Sequence, residues 1–449
     1  MQTQPDLTKS QLFLDDTWVA EQRRLQRRWY PAEVYPEPLL RPDMPWEGTD
    51  LIFYGTVFRL DGVYRMYYST FNPNQPSLVC VAESEDGLRW QRPIVGTVEY
   101  RGSRDNNIVM TGIVNPSVMH EPDDPAAPFK LIWQKGGAIR GATSRDGYRW
   151  TPLPDPLLSP VGDVQNVLFH KVDDQYVLLL KPHHGRQRYG ARSVGITRSP
   201  DFRRFPPFDT LLKPDLVDGP EVEYYGMTAF PYADLFLGLL WRYNGIPDFI
   251  DIVLGWSHDL RQWHWPVPRE AFIGPTYYWN QRWSSSSSAP PIPVGNQLRF
   301  YFGGRTGAHT HVKQGPIQYG VVGMATITED RFVSLSAGVQ DGELITEPLT
   351  WPGGDLLLNA STTRHRDGYP LDGGGALFVE VLDESEQPIA GFAGPDRAAF
   401  IGNVPSRHLI GPAPLRWPGD RRLAELTGQR IRLAFTLRDA HLFSFRASP

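Results

Sequence analysis

Short apolar runs alternate with clusters of Gly, Pro, Asn and Asp along most of this 449-residue chain. The clearest pair of runs lies at residues 54–60 and 63–68, where apolar positions recur every second residue around Asp61-Gly62. A period of two on either side of Asp-Gly predicts a hairpin of antiparallel strands. Similar pairs follow at residues 116–119 with 129–133, 167–170 with 176–180, 227–230 with 235–240, and 290–292 with 298–302. Helical periodicity is nearly absent, so the pattern predicts an all-β protein.

A short phrase, Ser-x-Asp-Gly-x-x-Trp, follows the first two hairpins at residues 84–90 and 144–150. Looser copies stand at 199–205, 257–263 and 328–332. The copies recur at intervals of roughly 55–70 residues, a period that indicates a repeat architecture. Ser and Asp side chains bond nearby backbone N–H groups and Gly allows positive φ, so the phrase predicts a structural turn rather than a catalytic motif. Five copies, each with four strands, predict a five-bladed β-propeller.

The pattern changes after residue 334, where the phrase no longer occurs. Alternating runs at 343–346, 376–382 and 431–437 are typical of strands in a β-sandwich. The sequence therefore predicts a lead-in at residues 1–45 that packs on the propeller, a propeller at 46–334 and a C-terminal β-sandwich at 335–449. Five consecutive serines at residues 284–288 fall inside the fifth blade and predict an exposed or cavity-lining loop.

Composition adds few constraints. The net charge of −5 and the 21% of charged residues predict neither a nucleic-acid nor a membrane partner. No apolar run reaches the ~18 residues of a membrane span. The N-terminal residues lack the basic-then-apolar pattern of a signal peptide, so we expect a cytoplasmic protein. The single cysteine, Cys80, excludes an intramolecular disulfide.

Three further phrases carry a resemblance to a known family: Pro-Trp-Glu-Gly at 45–48, Arg-Asp-Asn-Asn-Ile-Val at 104–109, and Asp-Arg-Phe-Val-Ser-Leu at 330–335. With the five repeats, they make the chain resemble the five-bladed propeller glycoside hydrolases of families 32, 43 and 68, and most closely the glycosyl hydrolase family 32-like proteins. The resemblance implies an enzyme that acts on a small carbohydrate substrate. The invertase signature Asn-Asp-Pro-Asn-Gly and an Arg-Asp-Pro phrase are absent, so fructan hydrolysis does not carry over.

Glycoside hydrolysis usually needs two carboxylates, one that protonates the leaving oxygen and one that attacks or activates water. The first strand of each blade faces the central tunnel, so the residues that lead into these strands are the candidates. Asp163, which stands outside any repeated phrase, is the candidate base or nucleophile, although a turn-forming aspartate is the competing interpretation. Glu223 alternates in phase with Tyr225 and is the candidate acid, with Glu221 on the same face as the alternative. Glu47 is either a charge that tunes the pair or an anchor of the lead-in.

Other residues near these strands are candidate sugar-binding groups, since carboxylates and amides bond hydroxyls and tryptophan faces stack on sugar C–H groups. They are Asp50, Asp105, Asn106, Gln165, Glu221, Arg242, Trp279, Asn280 and Arg282. Asx-rich segments are mostly turns, so a structural part for Asp105 and Asn106 is the competing interpretation.

Two basic stretches follow the middle strands of blades three and five. They contain His183, His184, Arg186, Arg188 and Arg192, and Arg305, His309, His311 and Lys313. No tight carboxylate or cysteine cluster accompanies the histidines and no nucleotide-binding fingerprint occurs, so the sequence predicts neither a metal nor a cofactor. The main hypothesis is a glycoside hydrolase. A phosphorylase that holds phosphate with these cations and a non-catalytic carbohydrate-binding propeller are the alternatives. The sequence does not predict the oligomeric state.

Overall fold

The computed structural model describes residues 6–71, 75–162, 165–166, 171–182, 191–309, 320–362, 364–366, 369–371, 375–404 and 413–448. Within these ranges the chain forms antiparallel β-sheets and no α-helix, which confirms the prediction of an all-β protein. Short 3₁₀ helices stand at Tyr278–Asn280, Gly394–Asp396, Pro418–Asp420 and Leu423–Leu426. None of the described helices has the length and apolar character needed to cross a lipid bilayer.

Four short strands begin the chain. They are β1 Gln11–Leu12, β2 Val19–Arg23, β3 Gln26–Trp29 and β4 Glu33–Val34. These strands form no sheet among themselves. Strand β4 pairs with a strand of the fifth sheet along the chain, whereas β1, β2 and β3 pair with strands that come after residue 332.

Five antiparallel sheets follow in chain order, each built from strands that are neighbours in sequence. Their strands are β5 Asp50–Leu60, β6 Val63–Phe71, β7 Leu78–Ser84 and β8 Ile108–Thr111; β9 Val114–His120, β10 Phe129–Lys135, β11 Ala138–Ser144 and β12 Thr151–Pro152; β13 Gln165–Asn166, β14 Lys171–Val172, β15 Gln175–Leu180, β16 Val194–Ser199 and β17 Asp209–Leu212; β18 Val222–Tyr232, β19 Leu235–Asn244 and β20 Phe249–Ser257; and β21 Trp283–Ser286, β22 Ile292–Val294, β23 Gln297–Arg305 and β24 Gly320–Thr328. Four predicted hairpins are confirmed as paired strands, and residues 167–170 of the remaining one lie outside the described residues.

The five sheets contact one another in a cyclic order through their first strands. Strand β5 contacts β9, β9 contacts β13, and β13 contacts β18. Strand β21 contacts β19 and β20 of the preceding sheet and also contacts β5, so the order returns to the first sheet. Hydroxyl groups link these strands: Thr56 Oγ1 bonds Ser288 Oγ at 2.6 Å and accepts the backbone N–H of Val118 at 2.9 Å.

The five serines at residues 284–288 are all buried, and the first three belong to β21. The prediction of a loop is therefore wrong for those three. The physical reason is that partners on the first sheet satisfy several of the hydroxyls, so burial does not leave them unpaired. Ser285 donates to the carbonyl of Phe53 at 2.9 Å, and Ser287 Oγ accepts the backbone N–H of Val57 at 3.1 Å.

The repeated phrase forms turns that its own side chains hold. In the first four copies the aspartate carboxylate accepts the backbone N–H groups of the residues two and three positions later, at 2.7–3.3 Å. Gly87 and Gly147 adopt positive φ, which a residue with a Cβ disfavours. The prediction of structural turns is confirmed for these copies.

Two of these turns are also held by the sheet that precedes them in the cyclic order. Tyr67 and Arg65 on β6 donate to backbone carbonyls in the turn of the second sheet, both at 2.9 Å. Tyr301 and Arg299 on β23 donate to carbonyls in the turn of the first sheet, at 2.9 and 2.6 Å. The fifth sheet therefore makes the same hydrogen bonds to the turn of the first sheet as the first sheet makes to the turn of the second.

Replacing Asp146 by Ala should lower the free energy of unfolding by about 1 kcal/mol, because two backbone N–H groups lose a carboxylate and gain only water. Urea unfolding would measure this change. Glu85→Ala is the matched control, since Glu85 is exposed in the equivalent turn and should leave the unfolding midpoint in place. Equal stability of the Asp146 variant and the wild-type chain would show that these hydrogen bonds do not stabilise the fold.

Two larger sheets contain most of the remaining strands. These strands are β25 Val333–Ala337, β26 Gly342–Thr346, β27 Leu349–Thr350, β28 Leu356–Ser361, β29 Arg364–Arg366, β30 Tyr369–Leu371, β31 Ala376–Asp383, β32 Ala398–Phe400, β33 Asn403–Val404, β34 Ala413–Pro414, β35 Arg430–Arg438 and β36 Ala440–Ala447. One sheet has the order β3-β25-β36-β28-β33, with β1 on β36 and β34 on β28. The other has the order β2-β26-β35-β31-β32, with β27 on β35. Strands β29 and β30 pair separately. Leu358 and Leu433, from the two sheets, share one apolar core with Phe13 of the N-terminal segment.

The fifth copy of the phrase departs from the others. Asp330 is buried, and its two carboxylate oxygens accept the hydroxyl protons of Tyr232 on β18 and Ser444 on β36, both at 2.7 Å. The same aspartate that holds a local turn elsewhere thus joins the fourth sheet to the C-terminal strands.

Candidate active site

Side chains from the beginnings of β5, β18 and β21 meet side chains from the ends of β15, β19 and β23. The group, called the central cluster below, consists of Asp50, Tyr54, Lys181, Arg192, Glu223, Tyr225, Tyr243, Trp283, Arg305 and His309. In each case the strand places the residue at the same end of the cyclic arrangement. Residues far apart in sequence therefore share one site.

Asp50 is buried at the first position of β5, with 5% of its surface exposed. Arg305, at the end of β23, donates to Asp50 Oδ2 at 2.8 Å. Burial raises the pKa of the Asp50 carboxyl, and the Arg305 charge opposes that rise. The backbone of Gly320 lies so close that a Cβ there would stand 1.8 Å from Asp50 Oδ1. Only glycine at position 320 leaves room for this carboxylate.

Glu223 is the second buried carboxylate, with 2% of its surface exposed. The guanidinium of Arg192 contacts Glu223 Oε2. Arg192 precedes β16, and its own backbone carbonyl accepts the N–H of Tyr224, so the third and fourth sheets are joined at this point. The predicted acid is thus a desolvated carboxylate beside a fixed positive charge.

Aromatic rings lie between the two carboxylate–arginine pairs. Trp283 stacks on His309 with ring centroids 5.6 Å apart, and Tyr225 meets both rings edge-on at 5.2 Å. The Arg305 guanidinium lies 5.3 Å from the Trp283 ring, and that of Arg192 lies 5.4 Å from Tyr225. This chain of contacts connects Asp50 to Glu223.

The histidine of the cluster is uncharged at neutral pH. Burial, followed by the nearby charge of Arg192, lowers the pKa of His309 to about 4. Its Nε2 lies 3.2 Å from the Tyr225 hydroxyl, and its backbone N–H donates to Asp248 at 3.2 Å. His309 therefore adds a ring and a hydrogen-bonding group, not a cation, to the basic stretch predicted from the sequence.

The basic side chains of the cluster, besides His309, are Lys181, Arg192 and Arg305. Lys181 is buried and its Nζ lies 4.3 Å from the centroid of Tyr225. The other predicted basic residues, His183, His184, Arg186, Arg188, His311 and Lys313, lie outside the described residues. Within the described part of the chain, no three His, Cys, Asp or Glu side chains stand close enough together to hold a metal ion.

A small cavity borders the cluster between β5, β21 and β23. Its walls include Tyr54, Trp283 and Arg305, and its volume, with its open mouth, is about 200 Å³. Tyr54 stacks on the buried Trp241 at 5.2 Å, which fixes the ring at the cavity wall. Aromatic walls with a few charged groups are typical of small-ligand sites.

Glu47 lies apart from the central cluster and is completely buried. Its carboxylate accepts Nε–H and Nη2–H protons from Arg92 at 2.7 and 2.8 Å, the Tyr68 hydroxyl at 2.5 Å, and two backbone N–H groups of the lead-in. With all these bonds made inside the fold, the contacts favour the anchoring interpretation. The tuning role stays a prediction.

The structure brings Asp50 and Glu223 together with residues of one cluster, and it leaves most other candidates elsewhere. Asn106 is buried and bonds backbone groups of its own segment, while Asp105 is exposed. Arg242 pairs with Asp251 on β20 at 2.7 Å. These contacts hold local structure.

The candidates around the 3₁₀ helix before β21 are also engaged locally. Trp279 is buried on Phe302 and donates to the carbonyl of Pro36 at 3.0 Å. Asn280 accepts the backbone N–H of Tyr277 at 2.8 Å, and the exposed Arg282 donates to the carbonyl of Pro247 at 2.6 Å.

The structure does not describe the side chains of two predicted site residues. Asp163 lies outside the described residues, and only the backbone of Gln165 is described, in β13. Glu221 is partly buried just before β18, with its carboxylate against the backbone of Gly219. Its assignment as an alternative acid therefore stays a prediction.

Sequence reasoning missed Tyr54, Lys181, Tyr243 and Trp283 as members of the site. The available signal was position, since Trp283 begins a strand and Lys181 directly follows one. A search for polar and aromatic residues at the strand ends that lie on the same side as Glu223 would have found all four.

Comparison with known proteins finds only distant similarity. No protein-family model matches the chain, and no curated protein matches it either. Similar solved structures include a glycosyl hydrolase from Bacteroides ovatus, with a TM-score of 0.48 and 14% identity over 68% of this chain and 95% of that one. A β-1,2-mannobiose phosphorylase from Listeria innocua has a TM-score of 0.46 and 14% identity over 66% and 96%. An α-L-arabinofuranosidase from Podospora anserina has a TM-score of 0.46 and 14% identity over 66% and 98%. Values this low support no particular reaction or substrate.

Proposed function

We propose that the chain is a glycoside hydrolase and that the central cluster is its active site. The observation that carries the proposal is the pair of buried carboxylates, Asp50 and Glu223, each beside an arginine and both bordering one group of aromatic rings. Cleavage of a glycosidic bond usually needs two carboxylates with different protonation states. Trp283 and Tyr54 line the recess beside Arg305, next to these carboxylates.

The two carboxylates have different parts in this proposal. Asp50 acts as base or nucleophile, since the charge of Arg305 favours its ionised form. Glu223 keeps the general-acid role that the sequence assigned to it, although the charge of Arg192 opposes the protonated form that this role requires. Asp163, to which the sequence assigned the base, stays a prediction as a further carboxylate of the site.

The proposal includes an architecture. The five sheets in cyclic contact would be the five blades of a propeller over residues 46–334, and the two larger sheets would form a β-sandwich over 335–449. Pairing of β1, β2 and β3 with strands of that second part gives the lead-in a structural connection to it. Closure of a propeller places the first strands around a central tunnel, where the cluster would lie.

Phosphorolysis is the second candidate, because Lys181, Arg192 and Arg305 bring three cations to the same cluster. Guanidinium and ammonium groups bind phosphate oxygens, and bound phosphate could attack the sugar in place of water. The two reactions differ in their product, since phosphorolysis yields a sugar phosphate and hydrolysis a free sugar.

A screen of aryl glycosides and of plant and microbial oligosaccharides, each with and without inorganic phosphate, tests the proposal. Free sugar released at the same rate in both conditions supports hydrolysis, whereas phosphate-dependent formation of sugar phosphate supports phosphorolysis. If saccharides bind but no bond is cleaved in either condition, the protein is a carbohydrate-binding propeller and the proposal is wrong.

Replacing Arg305 by Met should move the acidic limb of the kcat/KM profile to higher pH by about one unit. The sign follows from the site: Arg305 lowers the pKa of Asp50, so its removal raises that pKa, and the base is then protonated at a higher pH. A pH–rate profile measures the shift. Arg59→Met, an exposed arginine at the β5–β6 turn, is the control and should leave the limb in place. If the acidic limb does not move in the Arg305 variant, Asp50 is not the base.

A further inference from the structure

A wide cleft lies away from the central cluster, where β3 and the beginning of β36 meet the segment that follows β20. Its walls include Arg28, Trp29, Tyr30, Glu270 and His441, and its volume, with its open mouth, is about 1,320 Å³. A smaller and more apolar recess, about 370 Å³ with its open mouth, shares the walls at Trp29, Tyr30 and Glu270. No residue that lines the cleft belongs to the central cluster.

The aromatic wall of the cleft is held rigidly. Trp29 stacks on Trp256 with ring centroids 5.3 Å apart, and Trp256 donates its indole N–H to Asp15 at 2.9 Å. The backbone N–H of Tyr30 donates to the carbonyl of Phe332, and its hydroxyl lies 2.9 Å from Ser334 Oγ. Trp256 covers one face of the Trp29 ring, and Trp29 also lines the cleft. A ring fixed in advance binds a ligand with little loss of conformational entropy.

The polar groups of the cleft carry opposite charges that balance. Arg28 and Glu270 are exposed, and neither side chain has a hydrogen bond or ion pair within the described ranges. His441 bonds Ser336 through Nδ1 at 2.7 Å, and burial together with the Arg28 charge lowers its pKa, so the ring is neutral at pH 7. Arg27 also lines the cleft, but its guanidinium pairs with Asp16. The groups that remain are one cation, one anion and one neutral ring, a set that does not favour an anionic ligand.

We propose that this cleft is a second saccharide-binding site, distinct from the central cluster. A tryptophan face packs against the C–H face of a sugar ring, and Arg28, Glu270 and His441 supply donors and acceptors for its hydroxyl groups. The apolar recess beside Trp29 accommodates the less polar face of the same unit. This inference rests on the proposed function for the kind of ligand, and it implies that a glycan chain is held at a place remote from the bond that is cleaved.

Affinity electrophoresis of the full chain in gels that contain soluble arabinan, mannan, galactan or xylan tests the inference. The Glu223→Gln background prevents degradation of the polysaccharide during the run. At least one polysaccharide should retard the chain. Arg28→Gln and Trp29→Leu should each weaken that retardation by about tenfold in affinity, since each removes a direct contact with the sugar. Arg23→Gln, an exposed arginine on the neighbouring β2, is the matched control and should migrate like its parent.

A second measurement separates the cleft from the central cluster. In the otherwise wild-type chain, Arg28→Gln should leave kcat/KM for a small aryl glycoside unchanged, because such a substrate occupies the central cluster alone. Unaltered retardation of both cleft variants, or the absence of retardation by all four polysaccharides, overturns the inference. If no glycoside is ever cleaved but Arg28→Gln still abolishes retardation, the proposed hydrolysis is wrong and the cleft remains a saccharide site.

Discussion

Replacement of Glu223 by Gln or of Asp50 by Asn is expected to lower kcat at least ~100-fold without loss of folding. Each amide has nearly the shape of the carboxylate it replaces, but it can neither transfer a proton nor carry the negative charge. Both positions are buried beside an arginine, so the amides still accept a hydrogen bond from Arg192 or Arg305. Steady-state kinetics, with a melting curve for each variant, measure the effect.

The two variants should differ in their dependence on the leaving group. A dinitrophenolate leaves without being protonated, so the Glu223→Gln variant should regain much of its activity on dinitrophenyl glycosides, whereas Asp50→Asn should not. Glu221→Gln is the matched control, because Glu221 lies two residues away on the same segment. Near-normal turnover of Glu223→Gln together with an inactive Glu221→Gln would transfer the acid role to Glu221. If all three variants keep near-normal turnover, none of these carboxylates takes part in catalysis.

Asp330→Ala should lower the free energy of unfolding by about 3–4 kcal/mol, several times the loss at Asp146. Two buried hydroxyl groups, those of Tyr232 and Ser444, would lose a charged acceptor, and hydrogen bonds to charged groups contribute about 1.5–3 kcal/mol each. Asp330 also adopts a φ of 65°, which is less favourable for Ala than for Asp. Urea unfolding of the two variants, read by tryptophan fluorescence, gives the comparison.

The partner substitutions separate these contributions. Tyr232→Phe and Ser444→Ala should each cost less than Asp330→Ala, and adding either to the Asp330 variant should cost little more, because the bond is already lost. Equal losses of unfolding free energy for Asp330→Ala and Asp146→Ala would show that Asp330 stabilises only a local turn. The connection between the sheets would then contribute no stability.

Much of the fold can be predicted from local pattern. Alternation around Asp61-Gly62 predicts the first hairpin, and the aspartates of the repeated phrase hold the turns that their position predicts. The serine run shows where local pattern fails, since composition favours a loop at 284–288 while remote partners bury those hydroxyls. The lead-in strands could not be assigned to a sheet, because their partners lie at the other end of the sequence.

The site is less predictable than the fold, for the same reason. The environment of Asp50 is set by Arg305 and Gly320, and that of Glu223 by Arg192, none of which is a neighbour in sequence. Position before a first strand selected Glu223 and Asp50 as candidates, and it selected Glu47 as well. Only the partners distinguish a carboxylate satisfied inside the fold from one that borders an aromatic cluster.

The pairing of β1 with β36 and of β3 with β25 has a consequence for biosynthesis. The segment with β1 to β3 is synthesised long before β25 and β36, yet Phe13 and Trp18 share their core with residues of these later strands. During most of translation these apolar residues must remain exposed or bind other surfaces, a situation that favours aggregation and chaperone binding. Synthesis of β25 and β36, rather than of any of the five earlier sheets, is the step that allows this pairing.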